Sequence, residues 1–214
     1  MDNISHPRVA AVMVILSIHE GELKVALYKR ERDPFEGVLS LPAGLLLEGE
    51  ALETAASRVL EEKTGITRVY LEQLHTFGDV KRDPVDRTIG VSYFAFVPFL
   101  EIKNDRQAAE WTNVRELPVL AFDHAKIVNY ALSNIREKIL FSNIVHSLLP
   151  DSFTLTQLQK IYEVILEKQI DKRNFRKKIL SMDILQKADG VSSGRQRPAQ
   201  LYKFVNHPVN LLIS

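Results

Sequence analysis

The chain has 214 residues, with 28 Lys and Arg against 27 Asp and Glu, 45% hydrophobic side chains, nine glycines, nine prolines and no cysteine. That balance is the composition of a soluble globular protein with enough apolar material for a core, and the length allows two domains. Collagen, intrinsic disorder and disulfide scaffolds are excluded, as are thiolate zinc sites, a cysteine nucleophile and thiol redox switches; a reducing, cytoplasmic location fits. The apolar run Val9–Ile18 is too short to span a bilayer, so no membrane partner is expected.

In chain order, Val9–Ile18 and Leu23–Lys29 read as strands joined by the turn His19-Glu20-Gly21-Glu22. Residues 31–49 form a long loop punctuated by Pro34, Gly37, Pro42, Gly44 and Gly49, and loops of that length in a compact domain are usually functional. Glu50–Lys63 is predicted to be helical, because Leu52, Ala55, Ala56, Val59 and Leu60 recur at helical spacing and Gly65 supplies a stop. Val69–Phe77 and Ile89–Phe99 follow as strands, separated by the charged loop Asp79–Arg87, with Ala109–Trp111 a short third. Trp111, Tyr93, Phe94, Phe96 and Phe99 read as strand core rather than as a stacking platform. A second helix starts near Asp123, which with His124 is expected to cap it, and carries Ile127, Val128, Tyr130, Ala131, Ile135 and Ile139.

The pattern changes at Leu148-Leu149-Pro150-Asp151, which divides the chain into domains at 1–147 and 148–214. From His146 onward there are 11 Lys and Arg against 6 Asp and Glu, leaving 17 against 21 before it, so the tail is basic and calls for an anionic partner. Thr154 and Gln157 form a capping box ahead of the amphipathic stripe Leu155, Leu158, Ile161, Tyr162 and Ile165. Asp171 then caps a basic helix with the stripe Phe175, Ile179 and Met182, and Ile184–Lys187 and Gln200–Val205 can pair as a hairpin. Helix, turn, basic helix and β-wing is the plan of a winged helix-turn-helix. Lys172, Arg173, Asn174, Arg176 and Lys177 on the helix, and Arg195 and Arg197 in the wing, are the candidate DNA-binding residues, with arginine or lysine suited to guanine edges and phosphates and asparagine to adenine.

Between Gly44 and Ile66 the chain reads Gly44, five residues, Glu50, seven residues, Arg58, then Leu60, Glu62, Gly65 and Ile66. This stretch resembles the Nudix box, G-x5-E-x7-R-E-U-x-E-E-x-G-U with U aliphatic. In that family three carboxylates of the box hold the divalent cations that polarise a pyrophosphate and activate water. The corresponding residues here are Val59, Glu62 and Lys63. By helical geometry they share one arc, which the other acids Glu50, Glu53 and Glu61 face away from. No metal site, cofactor or catalytic residue is therefore expected. The six histidines also lack metal-binding spacing.

A degenerate Nudix domain followed by a winged helix is similar to the Nudix-related transcriptional regulators, bacterial proteins that include repressors of NAD metabolism and a branch that controls sugar use. The likeness extends to Leu39-Ser40-Leu41-Pro42-Ala43-Gly44, Phe77-Gly78-Asp79, Arg82-Asp83-Pro84, Ala121-Phe122-Asp123-His124 and Lys172–Lys177. It implies an α+β protein, a Nudix-like α/β/α sandwich followed by a winged helix. It also implies a homodimer that binds double-stranded operator DNA and responds to a small-molecule effector, ADP-ribose in one branch and arabinose in the other. Arg30, Arg82 and Arg87 are the candidate effector-binding cations; the alternative for Arg82 and Arg87 is local pairing with Asp79, Asp83 and Asp86. Two other functions stay open: a Nudix hydrolase of ADP-ribose or a related nucleoside diphosphate, and a basic module for an acidic protein or RNA.

Overall fold

A computed structural model describes residues 6–67, 69–99, 109–191 and 198–205. By compactness the chain forms two units, one of residues 1–17 and 24–134 and one of residues 18–23 and 135–214.

The first unit is built on β1 (Arg8–His19), whose residues from Ala10 to Ser17 are all buried. A strand buried on both faces needs a continuous apolar run rather than alternation, which Ala-Ala-Val-Met-Val-Ile-Leu supplies. β2 (Glu22–Lys29) neighbours it on one side, and β6 (Thr88–Phe96) runs parallel to it on the other, from Arg8 opposite Thr88 to Leu16 opposite Phe96. β5 (Leu71–Phe77) pairs antiparallel with β6. Two short strands arise inside the long loop: β3 (Leu39–Ser40) pairs with β2, and β4 (Ala43–Leu45) pairs with β1. β7 (Glu110–Asn113) completes seven strands among the described residues by pairing with β2.

One face of this sheet is covered by α1 (Leu52–Thr64), which packs Ala55, Ala56, Val59 and Leu60 against Ala11, Met13, Ile15, Ala26 and Tyr28. The helix ends at Gly65, whose φ of 73° allows its N–H to return to the carbonyl of Glu61 at 2.8 Å. Glu50 precedes the helix instead of facing outward from it. Its carboxylate accepts from Arg58 Nε and Nη2, each at 2.8 Å, and from the backbone N–H of Leu47 at 2.9 Å. The Arg58 hydrogen bonds, then that of Leu47, hold the Glu50 carboxyl down at about 2. The β4 backbone lies close to the helix: a Cβ on Gly44 would sit 2.7 Å from Val59 Cγ2, so only glycine fits. α2 (His124–Lys138) packs on β5 through Tyr130, which stacks on His75 with ring centroids 4.8 Å apart. The unit is the α/β/α sandwich expected from sequence.

In the second unit, a 3-10 turn at Ile144–Leu148 precedes β8 (Phe153–Thr154), α3 (Leu155–Leu166), α4 (Lys172–Ser181), β9 (Leu185–Val191) and β10 (Gln200–Phe204). The capping box is present in both directions: Thr154 Oγ1 accepts from Gln157 N at 3.2 Å, and Gln157 Oε1 accepts from Thr154 N at 2.8 Å. Glu163 closes the turn between the helices by accepting from Ile170 N and Gln159 Nε2. Asp171 caps α4 by accepting from Asn174 N at 2.8 Å. The apolar faces meet through Tyr162 on α3 and Phe175 on α4, edge to face at 5.2 Å, with Leu158, Ile161, Ile165 and Ile179 buried around them. β10 pairs with β9 and also with β8, giving a three-stranded wing sheet where two strands were expected.

Candidate functional site

The first unit encloses a cavity of about 540 Å³ at the ends of β1 and β2, floored by Ser40–Leu45 and walled by the loops 29–34 and 82–88. Six lysines and arginines line it (Arg8, Lys29, Arg30, Arg32, Lys63 and Arg82) against four carboxylates, so it suits an anion. Arg30 and Arg82 are thus brought together as expected. Arg87 is not part of the lining; it donates to the carbonyls of Gly78 at 3.0 Å and Asp79 at 3.3 Å and stiffens its own loop.

Arg82 does not pair within its loop. Its Nε and Nη2 donate to the two carboxylate oxygens of Asp123, 41 residues away, at 3.0 and 2.8 Å. Both side chains are buried, 5% and 10% exposed, and the guanidinium lies against Gly90, where a Cβ would come within 2.8 Å of Nη2. Asp123 is therefore a partner for Arg82 through its side chain and supplies only its backbone carbonyl to the start of α2. Asp86 pairs with Arg8, another residue of the lining, and Asp83 accepts from Thr88 Oγ1 and two backbone N–H groups.

His124 is not a cap either. Its Nδ1 accepts from the backbone N–H of Leu41 at 3.0 Å and ties α2 to the cavity floor. Burial, opposed by the Asp123 charge and assisted by Arg82 and Arg30, pushes this imidazole down to about 4. Between that value and the ordinary histidine range near 6.5 the unfolded chain binds the proton and the folded chain does not, so stability rises with pH across this window. Urea denaturation at pH 7.5 and pH 5 is expected to show wild type losing more stability than His124→Gln on acidification; equal losses would contradict it.

Arg30 projects its guanidinium over the Phe122 ring at 4.6 Å and donates from Nε to Pro34 O at 2.7 Å. Phe122 and Phe35 are non-glycine residues in the left-handed region, at φ 54° and 66°, and meet edge to face at 4.9 Å. Strain of this kind collects at ligand sites. On α1, Val59 is 1% exposed and packed into the core, and Glu62 contacts Arg58 Nη1 at 3.5 Å. Lys63 turns to the cavity, its Nζ 5.1 Å from the centroid of the Tyr28 ring. An isopropyl and an ammonium group stand where a divalent cation would need carboxylates, so these residues do not fit a metal.

The second candidate surface is α4. Lys172, Arg173, Asn174 and Lys177 are exposed on it, opposite the buried Phe175 and Ile179. Arg176 differs: it is half-buried and reaches back to Thr156 Oγ1 of α3 at 3.4 Å. Arg195 and Arg197 lie outside the described residues. Sequence reasoning missed Tyr28, Lys63, Phe122 and His124 at the cavity. The signal for Lys63 was its place in the Nudix spacing; Phe122 and His124 had only their position in Ala121-Phe122-Asp123-His124.

Residues 6–131 match the NUDIX domain family, and residues 145–204 match the family described as the NrtR DNA-binding winged helix domain. The chain is 35% identical over 205 residues to the ADPR responsive transcriptional repressor NtrR of Acinetobacter baylyi, covering 92% of this chain and 82% of that protein. The crystal structure of Shewanella oneidensis NrtR complexed with a 27mer DNA superposes with a TM-score of 0.82 at 32% identity, covering 92% of this chain and 93% of that one. An ADP-ribose pyrophosphatase of Methanocaldococcus jannaschii is 35% identical over 125 residues, 58% of this chain and 72% of the relative.

Proposed function

Starting from a chain that belongs to the family joining a Nudix domain to an NrtR-type DNA-binding winged helix, we propose that this protein is a transcriptional repressor whose DNA affinity is lowered by ADP-ribose. The sensing domain is residues 1–147 and the DNA-binding domain residues 148–214, and the active species is a homodimer on a two-fold operator. Lys172, Arg173, Asn174 and Lys177 enter the major groove, with Arg195 and Arg197 of the wing reaching phosphates or the minor groove.

The observation that carries the reading is the cavity itself: a cationic Nudix cavity, with Val59 and Lys63 in place of carboxylates, in the same chain as an exposed basic helix. An anionic dinucleotide-sized ligand suits the cavity better than an uncharged sugar, because guanidinium and ammonium groups gain most from phosphate oxygens. Arg30 over Phe122 offers a planar cation for a nucleobase to stack on. Arg82, whose donors are turned to Asp123, acts by holding the wall in place. The cavity binds ADP-ribose without cleaving it, since two of the three positions that hold the metal in hydrolases cannot coordinate one.

The test is fluorescence anisotropy of the full chain on DNA from its own gene neighbourhood, titrated separately with ADP-ribose and L-arabinose. ADP-ribose is expected to weaken specific binding about tenfold or more, which needs only about 1.4 kcal/mol of coupling, and arabinose to leave it unchanged. Incubation with magnesium and ADP-ribose is expected to release no AMP or ribose 5-phosphate. Release of those products at an enzymic rate, or DNA affinity indifferent to ADP-ribose, would overturn the reading.

A further inference from the structure

At position 63 the charge is opposite in sign to that of a metal-holding helix, and its placement is fixed from two directions. Tyr28 OH donates to the backbone carbonyl of Lys63 at 2.9 Å, which anchors the helix end, and the Lys63 ammonium lies over the same ring at 5.1 Å. Burial pushes the Tyr28 hydroxyl up to about 12, so it stays a proton donor throughout the physiological range. The ammonium is thereby held at the cavity lining rather than left to sample solvent.

Three other cations of the lining have partners in the fold. Arg82 is turned to Asp123, Arg8 to Asp86, and Arg30 to Phe122 and the carbonyls of Pro34 and Arg32. On the Val59 side the β4 backbone at Gly44 packs against Cγ2, and an isopropyl group offers a cation no oxygen ligand. A ligand diphosphate carries two negative charges near neutral pH, which cations of the lining are placed to neutralise.

We propose that Lys63 Nζ is a specificity-determining contact that takes the place of the divalent cation, donating directly to the bridging diphosphate of the ligand and making its binding independent of metal. This rests on the reading that the cavity takes ADP-ribose. A carboxylate at position 63 repels a diphosphate unless a cation intervenes; an ammonium attracts it with no cation at all.

Isothermal titration of the full chain with ADP-ribose, in magnesium and in EDTA, tests this with Lys63→Gln, Lys63→Arg and Lys63→Glu. Wild type is expected to bind equally, within about twofold, in the two buffers. Lys63→Gln should lose about tenfold and Lys63→Glu about a hundredfold in EDTA, while Lys63→Arg stays near wild type, since one charge-assisted hydrogen bond is worth about a factor of ten. Thermal melting and DNA affinity without effector serve as folding controls, and Lys63→Gln against Lys63→Arg decides the matter if Lys63→Glu fails them. Wild-type binding that collapses in EDTA overturns the Lys63 role while leaving the ADP-ribose reading standing, as does full affinity in Lys63→Gln. Failure of folded wild type to bind in either buffer overturns the ADP-ribose reading, and the Lys63 role falls with it.

Discussion

Replacing Arg173 and Lys177 together by alanine is expected to weaken operator binding by about two to three orders of magnitude without unfolding the protein. The two residues are four apart on α4 and both exposed, so they share a face and contribute nothing to the buried contact of Phe175 and Ile179 with α3. An arginine on a guanine edge is worth about 1–3 kcal/mol of discrimination, and a lysine on phosphate adds an electrostatic contribution that weakens with salt. Anisotropy titrations at several salt concentrations separate the two: loss of a phosphate contact lowers the salt slope by about 1, whereas loss of a base contact relaxes sequence preference. Arg176 is the wrong residue for this experiment, because its guanidinium reaches Thr156 and its removal mixes DNA contact with helix packing. Unchanged affinity in the double variant would place the DNA surface elsewhere in the chain.

Removing one partner of the Arg82–Asp123 pair is expected to destabilise the first unit by about 3–5 kcal/mol, a large share of the stability of a typical domain. The expectation follows from burial: with side chains only 5% and 10% exposed, Arg82→Ala leaves a largely buried carboxylate without its counter-ion. Asp123→Ala leaves a guanidinium packed against the Gly90 backbone. Arg82→Met with Asp123→Leu should recover much of the loss, since replacing both members of a buried pair by apolar groups of similar volume is often neutral. Urea denaturation followed by tryptophan fluorescence measures this, as the single tryptophan, Trp111, lies on β7 of the same unit. A change below about 1 kcal/mol in the single variants would show that water reaches the pair and that its burial does not govern stability.

Features written in local spacing were legible in the sequence. The capping box at Thr154 and Gln157, the cap at Asp171 and the stop at Gly65 each depend on residues within four positions, and each is formed. The Nudix spacing placed Val59 in the apolar stripe and Lys63 beside it, and both are found so. What failed was long-range pairing. Asp123 looks like a helix cap because it precedes one, but its carboxylate is taken by Arg82 from a loop 41 residues earlier. Arg82 and Arg87, five residues apart and alike on paper, part company because one faces the buried start of α2 and the other the carbonyls of its own loop. The two-residue strands β3 and β8 carry too little pattern to be seen without their partners.

The close fit of Val59 beneath Gly44 makes position 59 intolerant of charge. A substitution that brought a carboxylate back to position 59 alone would bury an unpaired charge against backbone, lowering stability before any cation could compensate it. A carboxylate restored first at position 63 would oppose an anionic ligand while still lacking a partner to share a metal. Neither single change supplies the set of carboxylates that holds a divalent cation, so a metal site on this helix needs both together. The packing of one isopropyl group thus couples the chemistry allowed at this helix to the stability of the fold.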